Sequence, residues 1–330
     1  TLFRSSAASD VYKRQLIYFV NFKYNILFQY MNFYLPIAEI SINIYILISL
    51  GVGIGFISGL FGIGGGFISS PLLILVGIPP AVAVGTTTVQ VFASTSTGVV
   101  SHFQRKNIDY QMGLTMVIGG LVGTLFGVLI LNNLKTIGLI DNYLNSIYII
   151  LLIITAVFIL YETAKVNIVH KNKKFKLHQH SWIHGLPFKI KYRKSKLYIS
   201  VLAPLLIGFF IGVLTGLTGI GGGFILIPCM IYFLGMKTIS VIGTSLFNIT
   251  IVSFVSLFLQ IYINQNIDFV LALGLIVSSS IGAALAARIV DILDQENLKV
   301  TFGMLLLIIS SFLAYDLFRT PENLFIINYV

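Results

Sequence analysis

GLFGIGGGFISSP, residues 59–71, returns as GLTGIGGGFILIP at residues 216–228, ten of its thirteen positions unchanged. Both copies sit inside long apolar runs, 41–78 and 197–235. Glycine in a helix interior costs about 1 kcal/mol relative to alanine, so Gly64-Gly65-Gly66 and Gly221-Gly222-Gly223 each spell a break. The run of 38 residues from 41 to 78 would span about 57 Å as one helix, against a bilayer core of about 30 Å. Each block therefore reads as a helix, a glycine break and a shorter helix that resumes near Phe67 or Phe224.

The correspondence extends far beyond the phrase. Gly51, Gly55 and Gly59 pair with Gly208, Gly212 and Gly216, and Gly85-Thr86-Thr87 pairs with Gly243-Thr244-Ser245. Asn107-Ile108-Asp109-Tyr110 pairs with Asn266-Ile267-Asp268-Phe269, and Gly119, Gly123 and Gly127 fall on Ser278, Gly282 and Ala286. The offset drifts only from 157 to 159. The chain reads as two homologous repeats, 41–163 and 197–318, joined by a linker at 164–196 and followed by a tail at 319–330. The later blocks, 80–103, 111–131 and 144–162 in the first repeat and 238–263, 269–290 and 298–318 in the second, lack period-2 alternation and exceed strand length.

Composition fixes the class. Of 330 residues 57% are hydrophobic and 10% charged, where soluble domains carry about 25% charged. No Asp, Glu, Lys or Arg occurs between Gly51 and Gln104. The expectation is an all-α polytopic membrane protein. Residues 1–30 do not resemble the rest of the chain; they read as a non-native or read-through leader, with Met31 the expected start and no cleavage site for a signal peptide.

Loop charges speak to orientation. The linker holds ten Lys or Arg and no acid, which places it in the cytoplasm beside anionic lipid. Arg105 and Lys106 make one loop basic while its counterpart at 263–267 is neutral, and the preceding loops reverse this, Pro79-Pro80 facing Lys237. That exchange favours inverted repeats over two parallel four-helix halves.

Exposed backbone at membrane depth is tolerated only where protein or a water-filled cavity satisfies it, and secondary transporters place paired broken helices around a midplane substrate. Gly64, Gly65, Gly66, Gly221, Gly222 and Gly223 are thus substrate-site candidates, with a structural kink as the alternative. Thr86, Thr87 and Gln90, echoed by Thr244, Ser245 and Asn248, add hydroxyls and amides able to hold an anion without a buried charge. Interhelical bonding explains the hydroxyls equally well. The glycine stripes at 51, 55, 59 and 208, 212, 216 read as close helix packing. Asp109 and Asp268 read as helix caps, Arg288 as a snorkelling side chain, His102 as interfacial, and the lone Cys229 as packing. Neither phrase completes a nucleotide-binding motif, since the sixth position is Phe67 or Phe224 and no Gly-Lys-Ser/Thr comes after it. The helices carry almost no acids, bases or metal ligands, which argues against an enzyme or a cofactor. Anionic lipid explains the basic linker more simply than a nucleic-acid partner, and its four histidines (His170, His178, His180 and His184) are only a weak metal-site suggestion, so no metal is expected.

Paired GxxGIGGGFxxxP segments, each followed by a Gly-Thr-Thr/Ser helix and an Asn-Ile-Asp helix start, resemble the TauE/SafE sulfite exporter family. The resemblance covers roughly residues 45–318 apart from the linker. It implies a multi-pass protein of the bacterial inner membrane that moves sulfite, organosulfonates or related small anions; coupling to protons or to sodium is left open by the sequence. An anion channel and a non-transporting scaffold are the rival readings.

Overall fold

The computed structural model describes residues 32–61, 65–138, 140–169, 188–192, 194–195, 197–236, 238–289 and 295–318. The expected leader, the tail and most of the linker lie outside these residues. The first half of the chain contains the hairpin β1 (Asn32–Leu35) and β2 (Ile40–Asn43), then α1 (Ile44–Phe61), α2 (Gly66–Leu75), α3 (Pro80–Gln104), α4 (Tyr110–Ile137) and α5 (Ile140–Val169). The second contains β3 (Lys189–Tyr192), β4 (Leu197–Ser200), α6 (Leu202–Thr218), α7 (Gly223–Pro228), α8 (Thr238–Leu259), α9 (Phe269–Ile289) and α10 (Gln295–Phe318). A π-helical turn, Cys229–Phe233, extends α7, and another, Gln260–Asn264, extends α8.

Among the described residues six helices are long and apolar enough to cross a membrane: α1, α4, α5, α8 with its π turn, α9 and α10. The chain is an integral multi-pass membrane protein. Helix α3, 25 residues long, is not one of the six, because its Thr, Ser and Gln side chains lower its hydropathy. Both apolar blocks break where the glycines predict, giving the pairs α1–α2 and α6–α7.

The helices pack crosswise. α1 lies on α9 and α6 on α4, while α3 meets α8 and α5 meets α10. Glycine makes the first two contacts intimate. A methyl group on Gly55 would stand 1.9 Å from the Ser279 carbonyl oxygen, and one on Gly212 would stand 2.1 Å from that of Gly120. These helices touch backbone to backbone, which supports the packing reading of both stripes.

Asp109 and Asp268 do cap their helices, each accepting from the N–H three residues on, Met112 at 3.2 Å and Leu271 at 3.1 Å. Each also ties down the other half's hairpin. Ser195, between β3 and β4, donates its N–H to Asp109 Oδ2 at 3.0 Å, and Ile37, between β1 and β2, donates to Asp268 Oδ2 at 3.1 Å. The hairpins lie at equivalent places ahead of α1 and α6, with Leu35 opposite Ile40 and Tyr192 opposite Leu197. Neither hairpin is expected from the sequence, whose charge pattern assigns 189–192 to the linker.

Candidate functional site

The two breaks meet inside the molecule. Gly65 precedes α2 with φ +75°, and Gly219, Gly221 and Gly222 carry φ of +68°, +78° and +64° ahead of α7. Such left-handed backbone is costly for residues with a Cβ. Phe67 and Phe224, the first side chains past each break, stack with ring centroids 3.7 Å apart. Val91 of α3 seals the space between them: a methyl on Gly66 would lie 2.0 Å from one of its γ-carbons, and a methyl on Gly221 would lie 2.6 Å from the other.

The second break is stapled shut. The Thr218 carbonyl, exposed by the end of α6, accepts from the Tyr148 hydroxyl at 2.5 Å and the Ser70 hydroxyl at 3.4 Å. The Gly216 carbonyl accepts from Gln260 Nε2 at 2.9 Å. These bonds satisfy helix-end groups that would otherwise lie unpaired in an apolar interior.

The first break faces space. Gly65 and Gln90 lie at the buried end of a cavity of about 530 Å³ between α1, α3, α8 and α9. That volume lies within the range of about 300–1,000 Å³ usual for small-molecule sites. Ser58 of α1, Ser94, Thr97 and His102 of α3, and Ser279 and Ser280 of α9 supply its other polar groups, with no charged residue among the described residues of the lining. Burial grades from Gln90, 2% exposed, to Ser94 and Thr97, which are exposed. Gln90 Oε1 is buried without a hydrogen-bond partner.

Of the substrate-site candidates named from the sequence, the cavity brings together Gly65 and Gln90, and it also reaches Gly55 of the packing stripe and the interfacial His102. Gly64 lies outside the described residues, and Gly66, Gly221, Gly222 and Gly223 are buried in packing. Thr86 and Thr244 face the opposite half, where their hydroxyls accept the backbone N–H groups of Asp268 at 3.3 Å and Asp109 at 2.9 Å. Thr87 bonds the Ala83 carbonyl and lies 2.7 Å from the Ser70 hydroxyl, and Ser245 bonds the Ile242 carbonyl. Asn248 is buried away from the cavity with Nδ2 unpartnered. Sequence reasoning missed Ser58, Ser94, Thr97, Ser279 and Ser280. A signal for two of them existed: Gln90, Ser94 and Thr97 recur at helical spacing as one polar stripe.

The family model for the sulfite exporter TauE/SafE matches residues 47–313. A probable membrane transporter protein of Bacillus subtilis, YunE, is 24% identical over 279 residues, covering 82% of this chain and 97% of the relative. One from Methanocaldococcus jannaschii is 33% identical over 193 residues, 56% of this chain and 60% of the relative. Sulfite exporter TauE/SafE family protein 3 of Arabidopsis thaliana is 36% identical over 69 residues, 21% of this chain and 14% of the relative. No solved structure matches.

Proposed function

The chain belongs to the sulfite exporter TauE/SafE family, a family of membrane transporters rather than enzymes, and we propose that it is a secondary transporter of small anions. Sulfite, organosulfonates and related sulfur compounds are the substrates, the bacterial inner membrane is the location, and two inverted repeats provide alternating access. The observation that carries this reading is the cavity between the halves, which reaches the glycine break at Gly65 and offers hydroxyls, the Gln90 amide and the start of α2, with no charged side chain among its described residues. Neutral dipoles and a helix N-terminus hold an anion while leaving it free to depart.

The packed partition of Val91, Phe67 and Phe224 favours alternating access over a continuous channel. The crosswise packing of α1 on α9 and α6 on α4 supports the repeat. Radiolabelled sulfite, sulfonate and sulfate flux into proteoliposomes, with and without proton or sodium gradients, tests the reading. Saturable uptake with counterflow is expected, and uptake that stays linear and conductive would make the protein a channel. Inversion predicts that cysteines placed in 104–107 and in 264–267 label from opposite sides of the membrane; labelling from one side excludes it.

A further inference from the structure

A second polar track runs along α8, and it is closed. Ser253, Ser256, Gln260 and Asn264 succeed one another at steps of three or four residues, Asn248 lies five residues before Ser253, and each is at most 2% exposed. Buried helical hydroxyls ordinarily bond a carbonyl one turn back, as Thr250 does to Leu246 at 2.8 Å. Ser253 Oγ and Ser256 Oγ have no partner, nor have Asn248 Nδ2 and Asn264 Oδ1. Four unpaired polar atoms along one helix are unusual, because each costs free energy in a dry interior.

Three of these positions correspond to the α3 face that lines the cavity: Gln90 matches Asn248, Gly98 matches Ser256 and His102 matches Gln260, all at an offset of 158, whereas Ser94 and Thr97 of that face fall on Val252 and Val255. The partition lies between the two. Val91 and its counterpart Ile249 both approach Gly221, where a methyl would meet them at 2.6 Å and 3.1 Å. At the far end the helix loosens into the π turn Gln260–Asn264, a distortion that recurs at functional sites. There Gln260 holds the Gly216 carbonyl, and Asn264 Nδ2 bonds Gln260 Oε1 at 2.7 Å.

We propose that the Asn248–Asn264 face of α8 is the wall of the second access path, closed in this conformation and latched by Gln260 on Gly216. It opens to the opposite side when the cavity beside Gln90 closes, and its unpaired hydroxyls and amides then meet water and the anion. The inference rests on the transporter reading above.

The test uses the full chain in proteoliposomes on a Cys229→Ala background, with Thr97→Cys and Ser256→Cys as single probes and a membrane-impermeant methanethiosulfonate as reagent. Thr97→Cys is expected to react from one side and Ser256→Cys from the other. Ser253→Cys, one turn nearer the partition, replaces Ser256→Cys should that variant fail to insert. Ser256→Ala supplies an independent readout: labelled-sulfite or sulfonate flux should fall about two- to tenfold, the loss of one hydrogen bond to the passing anion. If Ser256 is merely packed, Ser256→Ala instead keeps full flux and gains thermal stability, and the proposal falls. Normal wild-type flux with Ser256→Cys protected from both sides also overturns it and leaves the transporter reading intact. Absent wild-type flux of every anion tried defeats the transporter reading itself.

Discussion

The two glycine breaks have nearly the same sequence and opposite surroundings. The first, at Gly65, borders a cavity; the second, at Gly219–Gly222, is filled by Ile211, Val91 and Ile249 and held by Ser70, Tyr148 and Gln260. The difference lies in neighbours rather than in the phrase. Gln260, which holds the Gly216 carbonyl, occupies the place that His102 occupies beside the cavity, and Ser70, which reaches Thr218, has Ile227 as its counterpart. Two closely similar glycine phrases thus supply two bends, and the side chains around each decide which one is open.

The largest effects belong to positions where the halves behave alike. Gly55→Ala and Gly212→Ala each drive a methyl into a facing carbonyl, at 1.9 Å and 2.1 Å, so α1 must leave α9 and α6 must leave α4. Overpacking of this kind costs about 1–3 kcal/mol or more. Both variants should lose thermal stability in detergent to a similar degree, measured by melting of the purified protein. A variant that melts like wild type would mean that the helices do not touch at that point.

The next pair separates the breaks. Gly222→Ala meets two obstacles, a left-handed φ of +64° and Ile211 Cγ2 at 2.4 Å from the new methyl. Gly65→Ala meets only the first, because its nearest neighbour, Ser58 Oγ, stands at 3.4 Å, an ordinary contact. The shared strain is about 1–2 kcal/mol. Gly222→Ala should therefore be the less stable protein, while Gly65→Ala stays folded and loses anion flux, since its methyl intrudes between Ser58 and Gln90. Equal melting temperatures with equal flux would erase the distinction between an open and a packed break.

The staple can be tested in the same way. Gln260→Leu leaves the Gly216 carbonyl without its donor, a loss of about 1–3 kcal/mol for a buried acceptor. His102→Leu removes a side chain from the partly exposed cavity lining and should leave melting within about 0.5 kcal/mol of wild type. Equal destabilisation by the two would show that position 102 holds structure as firmly as position 260.

Much of this contrast was invisible in the sequence, for definable reasons. Consecutive glycines in an apolar run announce a break whatever surrounds it, so both breaks and all the long helices were legible. Helix caps were too, because an Asp ahead of an apolar run has one dominant use. The hairpins escaped because each strand is four residues long and β3 lies in a lysine-rich stretch whose charge pattern suggests a solvated linker. The openness of one break escaped because it depends on Ile211, Val91 and Gln260 arriving from other helices. Polar residue type did not separate roles either. Gln90 ends in the cavity and Thr86, four residues earlier, ends on a backbone N–H of the other half.

That last contrast yields the smallest and most discriminating effect. Thr86 and Thr244 sit at matched positions and serve matched bonds, Thr86 to the N–H of Asp268 at 3.3 Å and Thr244 to that of Asp109 at 2.9 Å. Replacing either by valine keeps shape and removes one acceptor, leaving a buried N–H unpaired. An unpaired buried N–H costs about 1–3 kcal/mol, and losing the shorter bond should cost slightly more. Thr244→Val is therefore expected to lower the melting temperature slightly more than Thr86→Val, and flux per folded molecule should stay at the wild-type level in both. A several-fold fall in flux with unchanged melting would return these threonines to the substrate path. It would also mean that the bonds to Asp109 and Asp268 open during transport, so that the clasps between the halves move with the anion instead of framing it.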